Sequence, residues 1–447
     1  MPRNVLLLQG PVGPFFRKFA SQLEDSGHSV TKVNFNGGDW YYYHSGNYVN
    51  YRSSLACWAD WIRQQFIDRK IERIYLFGDC RAYHRQAVQI ARKLDIEVFV
   101  FEEGYVRPNY ITLEKDGVNG HTDACRKAGL LDRLQHFDAN GGAANEVSIS
   151  APVKSVFLSA ACSAMQYYMA SSALRPFFRK YEHHRALKTF SEGLIWIKSG
   201  LRKQYYKISE RSLSRKLSCG EDKFFLVTLQ VHNDMQVTRH SQFGTVEEFI
   251  ERVIISFVQA PGDCKLVFKH HPYDRGYKSY KNLIKQLSRT HGLKGRIHYV
   301  HDTDLPQLLQ NAEGTVLINS TVGISSLYHQ TPVKSMGFAI YDLPGLTYQG
   351  SLEDFWTDPG SVDKGLFNKF RQYLVETTQV NGSVYTDLEG CDGEAGLKWS
   401  PAMFKAHIAA TPGVVSPAEV IDLDMHRKLD VRPIDVPVEI EGKKLVV

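Results

Sequence analysis

Paired cysteines, glycine-rich phosphate loops and long apolar runs are all missing from this sequence, and each absence closes off a class of protein. The seven cysteines stand singly at 57, 80, 125, 162, 219, 264 and 391, with no CxxC pair. Neither a disulfide framework nor a zinc site is expected, and reduced thiols in a cytoplasmic protein are the default. No window approaches the roughly 18 uncharged apolar residues needed to cross a bilayer. The opening MPRNVLLLQG carries too short an apolar run for a secretory signal, so a soluble or peripheral chain is expected. Gly10-Pro11-Val12-Gly13 is not a GxGxxG fingerprint, and neither a Walker lysine loop nor HExxH occurs. Asp302-Thr303-Asp304 has the spacing of a metal-holding acid pair but stands where a helix should open, so capping explains it and no metal is required. Internal short-period repeats and long low-complexity tracts are lacking too. Net charge is a mild +6; its distribution matters more than its sum, and no nucleic-acid partner is expected.

What is present is length and alternation. At 447 residues the chain exceeds what one core usually supports, so two domains are expected. In the first third, strand-like runs at 5–8, 29–35, 73–77 and 97–101 alternate with helical spacings at 15–23, 54–68 and 81–94. A second series starts near Lys223, with strands at 224–229, 265–268, 296–300, 315–318 and 333–336 and helices at 246–257, 278–289, 305–311 and 324–330. This order implies parallel sheets with right-handed crossovers. The expected division is a Rossmann-like domain over 1–150, a basic helical segment over 151–220, a second Rossmann-like domain over 221–345 and a mixed extension over 346–447, whose residues 436–447 read as a short hairpin. Ligand binding is expected between the two α/β halves.

Candidate chemistry collects at strand ends, where ligands of open α/β sheets gather. The run Val98-Phe99-Val100-Phe101 delivers two acids, Glu102 and Glu103, to a turn at Gly104. Paired acids there suit acid–base work; a solvated turn is the alternative. The strand at 224–229 runs into Gln230-Val231-His232-Asn233-Asp234, with Arg239 and His240 just beyond. Asp234 is a candidate functional carboxylate, with an Asx turn as the plainer explanation. Ser320 and Thr321 stand between a strand and a helix, where hydroxyls either meet a phosphate or cap the helix. His271-Pro272 closes another strand of the same sheet; His271 either donates to a phosphate oxygen or is a satisfied core residue. His270 is the weaker candidate because alternate strand residues face opposite sides.

The stretch 174–217 carries about a dozen Lys and Arg against three acids, interleaved with Phe177, Phe178, Leu194, Ile195, Trp196, Ile197, Tyr205 and Tyr206. A basic, aromatic, amphipathic segment fits an anionic lipid surface; an acidic polymer or plain packing on the second domain are the alternatives. The 23 Tyr and 24 Phe suit sugars or lipid surfaces without choosing between them.

Several motifs taken in order carry a resemblance that runs from about residue 3 to about residue 350. They are Gln9-Gly10-Pro11-Val12-Gly13-Pro14-Phe15-Phe16, Glu102-Glu103-Gly104-Tyr105-Val106-Arg107-Pro108, and Tyr110-Ile111-Thr112-Leu113-Glu114 with Gly117-Val118-Asn119-Gly120. Leu229 to Asp234, His271-Pro272, and Asn319-Ser320-Thr321-Val322-Gly323 with Thr331-Pro332-Val333 complete the set. The chain resembles the bacterial capsule polysaccharide biosynthesis and export family of the KpsS/LipB type and, more distantly, the retaining β-Kdo transferases. That resemblance implies an α/β fold of the GT-B type, two Rossmann-like domains with a central cleft. It also implies a glycosyltransferase that moves Kdo from CMP-Kdo, with retention, onto a phosphatidylglycerol-type lipid to start a capsule linker.

The relatives' two carboxylate motifs fall on Glu102-Glu103-Gly104 and on Gln230 to Asp234. They often carry Glu-Asp-Gly, so Glu103 replaces an Asp and the choice between Glu102 and Glu103 stays open. Their His-Pro and Ser-Thr motifs fall on His271-Pro272 and Ser320-Thr321 as the site for the cytidine monophosphate phosphate. Gln230, Asn319 and Gly337 are counted in the same donor site, and Gly10, Gly13 and Arg107 among substrate-binding residues. Asp234 is then the nucleophile, and Glu102 or Glu103 the general base. No cofactor beyond the donor is implied. The implied partners are a lipid acceptor at the cytoplasmic face of the inner membrane, a second Kdo transferase and the capsule export machinery. A CDP-polyol phosphotransferase using His240 or His271 as base, a non-catalytic capsule export component and a nucleotide-sugar epimerase are the competing readings.

Overall fold

A computed structural model describes residues 2–107, 109–118, 127–137, 157–182 and 189–384, together with Met403 and His407. In chain order the described strands are β1 (Asn4–Leu7), β2 (Ser29–Asn34), β3 (Tyr48–Asn50), β4 (Arg73–Phe77), β5 (Glu97–Glu103), β6 (Tyr110–Lys115), β7 (Phe224–Thr228), β8 (Lys265–Lys269), β9 (Ile297–Val300), β10 (Gly314–Leu317), β11 (Val333–Ser335) and β12 (Gln379–Asn381). They make two sheets, one ordered β12-β6-β5-β4-β1-β2-β3 and one ordered β11-β10-β7-β8-β9. Both belong to one compact unit, Met1–Thr411.

The second sheet is wholly parallel. The first is parallel from β5 to β3, but β6 pairs antiparallel with β5 and β12 antiparallel with β6. This corrects the expectation of an all-parallel first sheet. The strand pattern explains the burial. Leu6, Ile74, Leu76, Val98 and Val100 pack on one face against Trp58, Ile62 and Ala87, while Val5, Leu7, Tyr75, Phe99 and Phe101 pack on the other against Phe15 and Phe19. Successive strand residues face opposite sides, so continuous apolar runs are what a sheet covered on both faces requires.

The two Rossmann-like halves are discontinuous in sequence. Phe355 and Trp356 join the core of the second sheet, yet β12 lies in the first sheet, and Val380, Val384 and Met403 pack among Val5, Leu7 and Phe101. The described part of 346–447 therefore belongs to both halves, and its residues 436–447 lie outside the described residues. A further core cluster joins Tyr105, Val106 and Tyr110 of the first half to Leu317, Ile324, Ile340 and Tyr341 of the second. Among the described residues, helices Phe157–Ala173, Thr189–Ser209 and Arg211–Ser218 and a 3-10 turn Arg175–Phe177 lie within the 151–220 segment. The expected helix at 54–68 is a 3-10 turn, Leu55–Cys57, followed by an α-helix, Trp58–Asp68.

Candidate functional site

The acid turn is built by close backbone approach. A Cβ on Gly104 would stand 2.1 Å from the carbonyl oxygen of Tyr110, so only glycine lets the chain fold back into β6. Gln379 of β12 locks that turn: its Oε1 accepts from Tyr105 N–H at 3.0 Å and Val106 N–H at 3.3 Å, and its Nε2 donates to Thr112 Oγ1 at 3.0 Å. A strand near the end of the described chain thus positions an acid motif in its first quarter.

The two acids of that turn live in different surroundings. Glu103 pairs with Arg107 at 2.7 Å on a half-exposed surface. Glu102 is partly buried, and its Oε1 accepts from Glu103 N–H at 3.1 Å. Burial pushes its carboxyl up to about 7, with the neighbouring Glu103 and Asp79 charges adding to the rise and Arg81 opposing it. A carboxyl poised near neutrality can take and return a proton, whereas one in an exposed ion pair is committed to its partner. The environments therefore separate Glu102 from Glu103, which sequence alone leaves equivalent.

Across the seam, Asp234 caps the short helix Met235–Arg239. Its Oδ1 accepts from Gln236 N–H at 2.9 Å and its Oδ2 from Gln230 Nε2 at 3.1 Å. The Asx-type cap exists, and it also fixes the carboxylate from two sides. The same Gln230 accepts on Oε1 from Asn319 N–H at 3.3 Å, while Asn319 Nδ2 donates to the carbonyls of Gln236 and His240. Asn319 Oδ1 is buried with no hydrogen-bond partner. Ser320 Oγ accepts from Val322 N–H at 3.3 Å; Thr321 stands at the N-cap position of Val322–Tyr328 without a side-chain cap bond. His271 Nδ1 accepts from Tyr273 N–H at 3.2 Å, which leaves the ring proton on Nε2. Burial holds His271 down to about 4, helped by Arg107 and Lys269, so the ring is neutral near pH 7. His270 is buried on the other side against Tyr299, its Nδ1 2.6 Å from the phenol, as strand alternation required.

Two relationships bring the halves together. Arg107 and Glu103 act electrostatically on both His271 and Tyr273. Cys80, after β4, lies with its Sγ 3.8 Å from Nε2 of His240, the residue that ends the helix capped by Asp234. Glu102 is among the charges that raise the Cys80 thiol. Tyr105 lines a small recess with Asn319, Thr321 and Ile324.

The glycines singled out by sequence have packing reasons here. A Cβ on Gly10 would meet the Phe16 ring at 2.8 Å, and Gly13 sits at φ +124°. Gly337 bridges to Ser241 beside the His240 carbonyl. Asp304 caps Leu305–Asn311, and Asp302 pairs with Arg275 at 3.1 Å. Pro108 and Gly120 lie outside the described residues.

Sequence reasoning missed a buried polar network beyond β1, β2 and β4. Gln9 Nε2 donates to Asp39, Tyr167 and Tyr181, Asn36 Nδ2 donates to the Tyr167 hydroxyl, and Arg81 donates to Gln9 Oε1 at 3.0 Å. Burial lowers Lys32 to about 8 despite the opposing pull of Asp39. The strand-end rule that found Glu102 also covers Asn36 and Asp79 to Arg81; no sequence rule brings in Tyr167 and Tyr181.

The two Rossmann-like halves, with candidate residues on facing strand ends, define a protein of the GT-B fold class. A family model described as capsule polysaccharide biosynthesis protein matches residues 72–385. The chain is 40% identical over 385 residues to the capsule polysaccharide export protein KpsS of Escherichia coli, covering 86% of this chain and 97% of that protein. It is 40% identical over 390 residues to the capsule polysaccharide modification protein LipB of Neisseria meningitidis serogroup A, covering 86% and 92%. The chain belongs to the capsule polysaccharide biosynthesis family. Among solved structures it aligns with Thermosulfurimonas dismutans KpsC, beta Kdo 2,7 transferase, at 13% identity and a TM-score of 0.44, over 88% of this chain and 95% of that one.

Proposed function

We propose that the chain is a CMP-sugar-dependent glycosyltransferase of capsule assembly that transfers Kdo from CMP-Kdo, with retention, to a phosphatidylglycerol-type lipid. What carries this reading is an acid on each half at a strand end: Asp234, gripped by Gln230 at 3.1 Å, and Glu102, a carboxyl that burial lifts to about 7. Asp234 attacks the anomeric carbon as the bond to the CMP phosphate breaks. A covalent sugar adduct forms and CMP leaves with the bonding electrons. The acceptor hydroxyl then attacks the adduct, Glu102 takes its proton, and Asp234 is released as a carboxylate. Two displacements retain configuration.

The departing phosphate gathers charge, and donors aimed at developing charge are the strongest catalytic device a site has. Neutral His271 with its proton on Nε2 and the Ser320 and Thr321 hydroxyls supply them, while Asn319, its amide protons spent on the Gln236 and His240 carbonyls, holds their turn in place. Seam closure around the donor excludes the water that would waste it.

The lipid acceptor fits the helix Thr189–Ser209. Its Ile195, Arg202 and Tyr206 face the donor half: a Cβ on Gly276 would stand 2.6 Å from Ile195, Arg202 donates to the Arg275 carbonyl at 2.7 Å, and Tyr206 stacks on His301 at 3.6 Å. Leu201, Tyr205 and Ile208 fall on the opposite side, 70%, 65% and 78% exposed, beside Lys198, Lys203 and Lys207. An apolar stripe flanked by cations suits an anionic bilayer surface. Among the described residues no helix is long and apolar enough to cross a membrane.

The test is CMP release with phosphatidylglycerol vesicles, comparing CMP-Kdo with CDP-glycerol. CMP and a Kdo-bearing lipid from CMP-Kdo alone are expected. Turnover of CDP-glycerol instead favours the polyol phosphotransferase, and stoichiometric nucleotide binding without turnover favours an export component.

A further inference from the structure

The donor rim holds a second imidazole that the mechanism above leaves unused. His232 lies between Gln230 and Asp234, on the loop after β7. Its backbone N–H donates to Asp274 Oδ2 at 2.9 Å, and its Nδ1 lies 2.5 Å from Asp274 Oδ1. Asp274 is completely buried and stands in the 3-10 turn Pro272–Asp274, directly after His271. A buried carboxylate is costly unless it is paired, and here His232 supplies both partners from one residue. The pairing puts a proton on Nδ1 and leaves Nε2 at the far edge of the ring, away from Asp274. The His232 side chain is 29% exposed.

The two rim histidines are thus opposites. His271 accepts on Nδ1 and is held neutral. His232 donates on Nδ1 to a carboxylate, the arrangement that fixes the orientation of an imidazole. We propose that His232, aimed by Asp274, takes up a solvent proton on Nε2 as the ligand binds and donates it in a hydrogen bond to an anionic oxygen of the nucleotide-sugar. That oxygen belongs either to the phosphate or to the carboxylate of an activated sugar acid. Asp274 is a positioning residue acting through His232. The inference rests on the donor-site reading given above.

A purely structural role would make the pair a staple between the loop after β7 and the turn after β8. Two amide variants separate the roles. His232→Asn places an amide nitrogen near the position of Nδ1, keeping the tie to Asp274 while leaving nothing at the position of Nε2. His232→Gln reaches towards the position of Nε2 but gives up the tie. Calorimetric titration with CMP, the KM for CMP-Kdo and thermal unfolding are measured on the full chain for the wild type and both variants.

Ligand binding through Nε2 expects His232→Asn to melt with the wild type and to lose at least tenfold in CMP affinity or in KM, about 1.4 kcal/mol. His232→Gln is expected to stay within a fewfold of wild type in binding even where it melts lower. Loss with CMP itself assigns the phosphate; loss only in the KM for CMP-Kdo assigns the sugar carboxylate. Wild-type binding and KM in His232→Asn overturn the inference and leave the staple, with the donor reading intact. A wild type that binds neither ligand overturns the donor reading and this inference with it.

Discussion

Gln230 ties Asp234 to the strand end that carries Ser320: its amide nitrogen holds Asp234 Oδ2 at 3.1 Å while its carbonyl oxygen takes the Asn319 N–H at 3.3 Å. One side chain thus sets the distance between the carboxylate proposed to react and the turn proposed to meet the phosphate. Gln230→Ala is expected to lower kcat by about ten- to a hundredfold with Asp234 still present, since misaligned reacting groups forfeit orientation. Gln230→Glu is expected to be worse, because it sets a second carboxylate against Asp234. Steady-state kinetics of both variants, with CMP affinity as the control for folding, check this.

Glu102 gives a pH signature in both rate and stability. As the proposed base of the second displacement, lifted to about 7, it should make kcat/KM for the acceptor rise roughly tenfold per pH unit below that point and level off above it, with kcat/KM for CMP-Kdo not following it. Its folded pKa lies above its unfolded value. The folded chain therefore binds more protons between pH 4.5 and 7, and stability falls as pH rises through that window. Glu102→Gln removes the penalty. It is expected to be inactive yet more stable than the wild type at pH 8, by on the order of 1–3 kcal/mol, with no advantage at pH 4. Urea melts at the two pH values measure the crossover.

Gly323 has no room for a methyl group. A Cβ there would stand 2.4 Å from the Tyr341 ring, and the Tyr341 hydroxyl donates to the Ser320 carbonyl at 2.5 Å. Gly323→Ala is expected to cost about 1–3 kcal/mol through overpacking. It should weaken CMP binding as well, because the displaced tyrosine lets go of the turn at Ser320. Tyr341→Phe, which removes the hydrogen bond and keeps the ring, should lose less stability.

Much of this arrangement was legible in the sequence, for one physical reason. Parallel strands covered on both faces are continuous apolar runs, and their ends are where polar residues abruptly begin; Phe101 giving way to Glu102 and Leu229 to Gln230 mark such ends. What escaped was long-range. Gln379 locks the acid turn from 275 positions away from Gly104, in a three-residue strand with no periodicity to betray it. In the sequence β6 shows only as the motif from Tyr110 to Glu114, since the tight return at Gly104 depends on a backbone approach rather than a turn signature. Glu102 and Glu103 look alike until burial separates them. His232 gave no signal, because its partner Asp274 lies on another strand end.

Buried neutral histidines foretell acid sensitivity. Burial lowers His84 to about 3, with Arg81 adding to the effect, while its Nδ1 meets the Gly78 carbonyl at 2.6 Å. The unfolded chain binds a proton that the folded one refuses between pH 6.5 and 3, so the stability due to His84 is full above 6.5 and is lost as pH falls. Wild-type stability should drop below pH 6.5 by up to about 1.4 kcal/mol per pH unit for this residue. His84→Gln, which keeps a donor for Gly78, should show a shallower drop in melts run from pH 7.5 to 5.

In the proposed mechanism Asp234 carries the sugar between two displacements and Glu102 serves only the second. Intact-protein and peptide mass spectrometry of Glu102→Gln incubated with CMP-Kdo tests it most directly. CMP release followed by a sugar adduct on the peptide containing Asp234, absent in Asp234→Ala, is expected. An adduct on another residue, or full transfer by Asp234→Ala, would contradict it.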